Sequence, residues 1–122
     1  MAAVPTELVD EAARRFRLLA DPTRLRLLNA LHDLGELSVS GLAQHTDTGL
    51  ANASKHLAML ERERLVARRR EGTTVNYRIA DPTIMALCDL VCTSLRERFA
   101  ELGRIGSGDA SRTDSPPVPA PR

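Results

Sequence analysis

The sequence predicts a mainly α-helical domain that carries one β-hairpin, and three observations lead there. Apolar residues recur at helical spacing in five segments. Between Leu65 and Ile79 that spacing gives way to strand-like alternation. An Asp-Pro pair then restarts a helix at Asp21-Pro22 and again at Asp81-Pro82, with Asp as the cap and Pro at the first helical position.

The first helix runs from Thr6 to about Ala20, with Leu8, Val9, Ala12, Ala13, Phe16 and Leu19 on its apolar stripe. The second runs from Pro22 to about Asp33, with Leu25, Leu28, Ala30 and Leu31 expected inward, and Leu34-Gly35 ends it. Ser38 can cap a short third helix from Val39 to about His45. Thr46-Asp47-Thr48-Gly49 reads as a turn with several candidate caps. The fourth helix covers about Leu50 to Arg64. Its inward stripe is Ala53, Leu57 and Leu60, and its opposite face carries Asn52, Lys55, His56, Met59 and Arg62.

A strand begins at Val66. Glu71-Gly72-Thr73-Thr74 turns the chain, and Val75, Tyr77 and Ile79 alternate with Asn76 and Arg78 in the returning strand. The last helix runs to about Leu102. Residues 103–122 are rich in Gly, Ser, Asp and Pro and are expected to be disordered, because they cannot bury enough apolar surface to offset ordering entropy. The expected organisation is a flexible start at 1–6, one domain at 7–102 and a tail at 103–122.

Composition narrows the class. The chain has 122 residues, enough for one domain, and its hydrophobic fraction of 43% suits a globular core. Aromatics are only 2%, so the core is aliphatic. No run approaches the roughly 18 apolar residues of a membrane helix. The N-terminus lacks the pattern of a secretory signal. Two cysteines without such a signal point to a reducing, cytoplasmic setting. The net charge of +1 conceals an asymmetry. Residues 49–80 hold seven basic against three acidic side chains, whereas residues 21–48 are net negative. Polyanion binding needs such a local patch. No Gly-rich phosphate loop, Ser/His/Asp arrangement or metal cluster is visible, so an enzyme is not expected.

A short helix, a turn, a helix with one polar face and a basic hairpin form the pattern of a winged helix-turn-helix. The major groove admits one helix whose N-terminal half offers donors. Gly49, Ala51, Asn52, Ser54, Lys55 and His56 are the candidates there, with Arg62 further along. Arg68, Arg69, Arg70 and Arg78 in the hairpin can meet phosphates or a narrow minor groove. The expected partner is double-stranded operator DNA. The alternative is a winged-helix module that binds protein only.

The segments Leu18-Leu19-Ala20-Asp21-Pro22-Thr23-Arg24 and Glu36-Leu37-Ser38-Val39-Ser40-Gly41-Leu42-Ala43 resemble the ArsR/SmtB regulators. So do Ala53-Ser54-Lys55-His56-Leu57, Leu65-Val66-Ala67-Arg68-Arg69-Arg70-Glu71-Gly72 and Val75-Asn76-Tyr77-Arg78-Ile79. The resemblance covers about residues 7–102. It implies a homodimer joined through the first and last helices, and a repressor that an inducer releases from an inverted-repeat operator. The last helix has its own wide apolar face, with Ile84, Leu87, Cys88, Val91, Cys92, Leu95, Phe99 and Leu102, and a partner subunit is its natural cover.

The metal sites that the resemblance suggests are missing here. The third-helix cysteine positions are Ser38 and Ser40, and hydroxyls are poor ligands for soft metals. The last helix offers Asp81, Thr83, Thr93, Ser94 and Glu97 without a histidine. His32, His45 and His56 show no ligand spacing and read as surface or cap groups. Cys88 and Cys92, at i and i+4, share one helix face. They are either a thiol sensor for a thiophilic metal or metalloid, reactive sulfur or an oxidant, or simply small apolar residues packed in the dimer interface.

Overall fold

The computed structural model describes residues 3–105. The element order matches the expectation, with an added strand and a 3-10 turn where the first helix was expected to begin. A 3-10 turn at Thr6–Leu8 leads into α1 (Val9–Leu19), followed by α2 (Pro22–Leu34), β1 (Glu36–Ser38), α3 (Val39–His45), α4 (Leu50–Arg62), β2 (Val66–Glu71), β3 (Thr74–Ile79) and α5 (Pro82–Ile105). The first two residues of the expected flexible start, and the expected tail from residue 106 onward, lie outside the described residues. α5 runs through Gly103, where the sequence suggested a stop. One glycine costs a helix only about 1 kcal/mol.

The described residues divide into two compact bodies, which meet between Met85 and Ala86. The first holds α1–α4, the sheet and the opening turn of α5. Its core is aliphatic: Leu27, Leu28, Leu31, Leu42, Leu57, Leu60, Leu65 and Val66 are fully buried. Each buried leucine contributes about 1.5–3 kcal/mol by leaving water. Leu25, expected inward, is 39% exposed, and Leu27 takes the core position instead.

Local chemistry sets the element ends. The Asp21 carboxylate accepts from the Arg24 N–H at 3.1 Å and caps α2. Burial alone would raise this carboxyl, but the Arg24 N–H and the Arg24 charge hold it below its ordinary value. Gly35 closes α2 at φ +89°, a conformation open to glycine, and its N–H bonds the Leu31 carbonyl. Ser38 caps α3 by accepting from the Gly41 N–H at 3.0 Å. Asp81 caps α5 through the Thr83 N–H and also takes Arg15 of α1 at 3.1 Å. Its carboxyl is held low, first by the Thr83 hydroxyl.

β1 is the addition. Its three residues pair antiparallel with β3, so the sheet order is β1-β3-β2. Three residues are too few to show a period in sequence. β2 and β3 pair from Val66↔Ile79 to Glu71↔Thr74, leaving the two-residue turn Gly72-Thr73, with Gly72 at φ +63°.

The second body is the remainder of α5. Leu90 is 69% exposed, and Val91, Leu95 and Leu102 are also exposed.

Candidate nucleic-acid interface

α4 is oriented by what it buries. Ala53, Leu57 and Leu60 are at 0% exposure, which forces the opposite side of the helix outward. Leu50, Ala51, Asn52, Ser54, Lys55 and Arg62 are all exposed. Gly49 is the N-cap, and no side chain caps the helix, so its first N–H groups have no side-chain acceptor. Asp47, in the left-handed region at φ 54°, bends the connection from α3. Thr46 and Thr48 brace that turn, with Thr46 Oγ1 donating to the Leu42 carbonyl at 2.7 Å and the Thr48 N–H to the Ala43 carbonyl at 2.9 Å.

His56 departs from the sequence reading. It was expected among the exposed, groove-facing side chains and among the surface or cap histidines, yet it is buried at 8% exposure. Helical geometry explains the difference, because position 56 lies between Ala53 and Leu57 at the edge of the buried stripe. Its Nδ1 accepts from Arg24 Nε at 3.1 Å. It is therefore withdrawn from the candidate contact residues. Met59, also placed on the outer face, is half-buried against Arg24.

The hairpin arginines separate by sheet face. Alternation and register put Arg68 and Arg70 on the face of Tyr77 and Val75. Arg69 and Arg78 share the other face with Glu36 of β1. Arg69 makes two bonds to that carboxylate, Nε to Oε2 at 2.8 Å and one terminal nitrogen to Oε1 at 3.2 Å, and reaches Glu71 at 3.4 Å. The Arg69 guanidinium holds the Glu36 carboxyl below its ordinary value. Among the described residues, Lys55, Arg62, Arg68, Arg70 and Arg78 have no ion-pair partner within 4.0 Å. Tyr77, at 4% exposure, anchors the hairpin base, and burial pushes its hydroxyl above the ordinary value.

Glu36 and Arg24 are the residues that sequence reasoning missed as parts of this surface. Their partners lie 33 and 32 positions away. No local pattern marks such pairs.

The comparisons agree with this geometry. The sequence model of the family described as "Bacterial regulatory protein, arsR family" matches residues 21–68, from the α2 cap into β2. A solved structure of the AntR antimony-specific transcriptional repressor superposes with a TM-score of 0.74 at 30% identity, covering 82% of this chain and 90% of that one. The homodimeric winged helix-turn-helix DNA-binding domain of a possible ArsR-family regulator from Mycobacterium bovis gives a TM-score of 0.69 at 36% identity, covering 83% and 95%. The chain belongs to the ArsR family of bacterial regulatory proteins. Among curated ArsR-like relatives, the HTH-type transcriptional regulator KmtR of Mycobacterium tuberculosis is 39% identical over 84 residues, 69% of this chain and 64% of that protein. The match spans between 42% and 64% of the length of the first curated relatives. Membership fixes the architecture: α3 and α4 are the helix-turn-helix and β2–β3 is the wing.

The sensor side differs. Ser38 is engaged as a cap and Asp81 as both a cap and a partner of Arg15. Among the described residues, no three His, Cys, Asp or Glu side chains are grouped so as to hold a metal ion. Cys88 is half-buried and Cys92 exposed, both as free thiols. Burial, and then the neighbouring Cys92, push the Cys88 thiol above its ordinary value. Two thiols fall short of the four ligands of a structural zinc site. Among the described residues, no helix is long and apolar enough to cross a membrane.

Proposed function

We propose that this chain is a cytoplasmic, homodimeric repressor of transcription that binds an inverted-repeat operator through α4 and the wing. The exposed face of α4 is the observation that carries the reading. Asn52, Ser54 and Lys55 stand opposite a fully buried stripe, next to an uncapped helix start where backbone N–H groups suit a phosphate. Arg68, Arg70 and Arg78 extend the cationic surface along the wing. Asn52 supplies base discrimination, and Lys55 and the wing arginines supply phosphate contacts. Arg69 is secondary, because Glu36 already neutralises it.

The dimer rests on uncovered apolar surface. Leu8, Val9 and Phe16, from the 3-10 turn and α1, are about half exposed. α5 separately exposes Leu90, Val91, Leu95 and Leu102. Such surface favours a second copy as cover. Two-fold symmetry then calls for half-sites about one helical turn apart.

The inducer is not specified by the residues of one chain. A raised Cys88 thiol is a poor nucleophile, so an oxidant suits the pair less well than a soft metal or metalloid that displaces both protons. The Cys88→Ser, Cys92→Ser double variant decides between sensing and packing. A sensor loses DNA release by arsenite or cadmium, whereas packing cysteines leave that release unchanged.

The decisive experiment for the proposal is an electrophoretic shift with duplex DNA from upstream of the protein's own gene, at several salt concentrations. Binding that weakens steeply with salt and with Lys55→Ala is expected. A folded dimer that leaves that DNA unshifted in dilute salt would instead be a protein-only module.

A further inference from the structure

One arginine ties three helices together. From the first turn of α2, Arg24 donates one terminal N–H to the Leu18 carbonyl near the end of α1 at 3.0 Å. Its Nε–H donates to His56 Nδ1 in the middle of α4 at 3.1 Å. Its other terminal nitrogen lies 3.5 Å from Met59 Sδ, one turn further along α4. An imidazole that accepts at Nδ1 carries its proton on Nε2 and is neutral. A second proton would remove the acceptor and set an imidazolium against a guanidinium in a part-buried site, where like charges repel more strongly than in water.

We infer that His56 is a positioning residue for α4 and makes DNA binding acid-sensitive: neutral, it takes the Arg24 N–H and fixes the helix; protonated, it releases it. The inference rests on the DNA-binding reading above. The charged groups around His56 are few. Arg24 opposes protonation, whereas Asp21, at the start of the same helix, favours it. From α1, Arg14 is engaged by Glu11 and Glu63, and Arg15 by Asp81. α3 brings only His45, exposed at its last residue. On α4 itself Lys55 and Arg62 are exposed and Glu61 half-buried. Leu65, just before β2, and Val66, its first residue, are uncharged. His32 and His45 are exposed and common to the wild type and a His56→Asn variant, so their contribution cancels between the two.

His56→Asn tests this, because Asn Oδ1 stands where Nδ1 did, accepts the same N–H and does not titrate. The full chain and H56N are compared by fluorescence anisotropy on the upstream duplex, from about pH 7.5 to about pH 5.5, across the ordinary histidine range. Helix content is followed by circular dichroism. Relative to H56N, the wild-type affinity is expected to fall at least about fivefold over that interval, the lower end of usual coupling between sites, with helix content unchanged. Parallel pH profiles overturn the inference, and so does a fall that accompanies loss of helix. If H56N does not fold, the wild-type Arg24 Nε–H resonance decides: it must lose its hydrogen-bonded shift over the same interval, and an unchanged resonance overturns the inference. If neither protein binds DNA at neutral pH, the DNA-binding reading has failed, and the same resonance still tests the Arg24–His56 contact.

Discussion

α4 and the wing present cationic surface side by side, but they are held in different ways. α4 is fixed by fully buried Ala53, Leu57 and Leu60 and by the Arg24 bond to His56. The wing is fixed at its base by Val66 and Tyr77 and, beyond that, by the exposed pair of Arg69 with Glu36. The difference shows where each element tolerates change. The helix loses its aim through the core, whereas the wing is adjusted by surface charge at little cost to the fold.

The largest expected effect lies under the helix. Leu57→Ala removes a side chain with no exposure and should cost about 2–5 kcal/mol of stability, read by urea unfolding. A loss below about 1 kcal/mol, the size of an ordinary surface change, would mean that α4 is not held by its stripe. Next come the contacts themselves. Asn52→Ala should lose about 1–3 kcal/mol of discrimination at one base position if the contact is bidentate, in competition binding against single-base operator variants. Uniform weakening across all variants would instead place Asn52 on the backbone.

The capping aspartates sharpen the comparison, because they act on the helices and not on the wing. Asp21→Ala should cost about 1 kcal/mol at neutral pH. The carboxyls of Asp21 and Asp81 sit below the ordinary aspartate value in the folded chain. Their contribution is therefore complete above that value and disappears as pH falls through the lower folded one. Unfolding measured at neutral and at acid pH should show the Asp21→Ala deficit shrinking in acid; a deficit constant with pH would count against the capping role.

Glu36→Gln should change stability by no more than about 0.5 kcal/mol, since the pair is exposed. By freeing Arg69, it should steepen the salt dependence of DNA binding by roughly one phosphate contact, about 0.9 in the log–log slope. A flatter slope would show that Arg69 needs Glu36 to reach DNA.

The helices were legible because each carries its own period and cap: Asp21, Ser38 and Asp81 cap the helices expected of them. The turn at Gly72 and the alternation of Val75, Tyr77 and Ile79 made the hairpin legible too. β1 was not, because Glu36–Ser38 is defined only by its partners in β3. Neither was the role of His56. A polar residue at the edge of a stripe faces inward only when a partner waits there, and Arg24 lies 32 residues earlier. For the same reason the four wing arginines looked equivalent until register separated Arg68 and Arg70 from the face that carries Glu36.

The most direct measurement is the slope of log affinity against log salt for the upstream duplex, taken for the wild type, Lys55→Ala and Arg70→Ala. A steep fall for the wild type is expected, reduced by about 0.9 in each variant as one phosphate contact is lost. A wild-type affinity that barely responds to salt, or slopes that both variants leave untouched, would contradict the assignment of α4 and the wing as the DNA-binding surface.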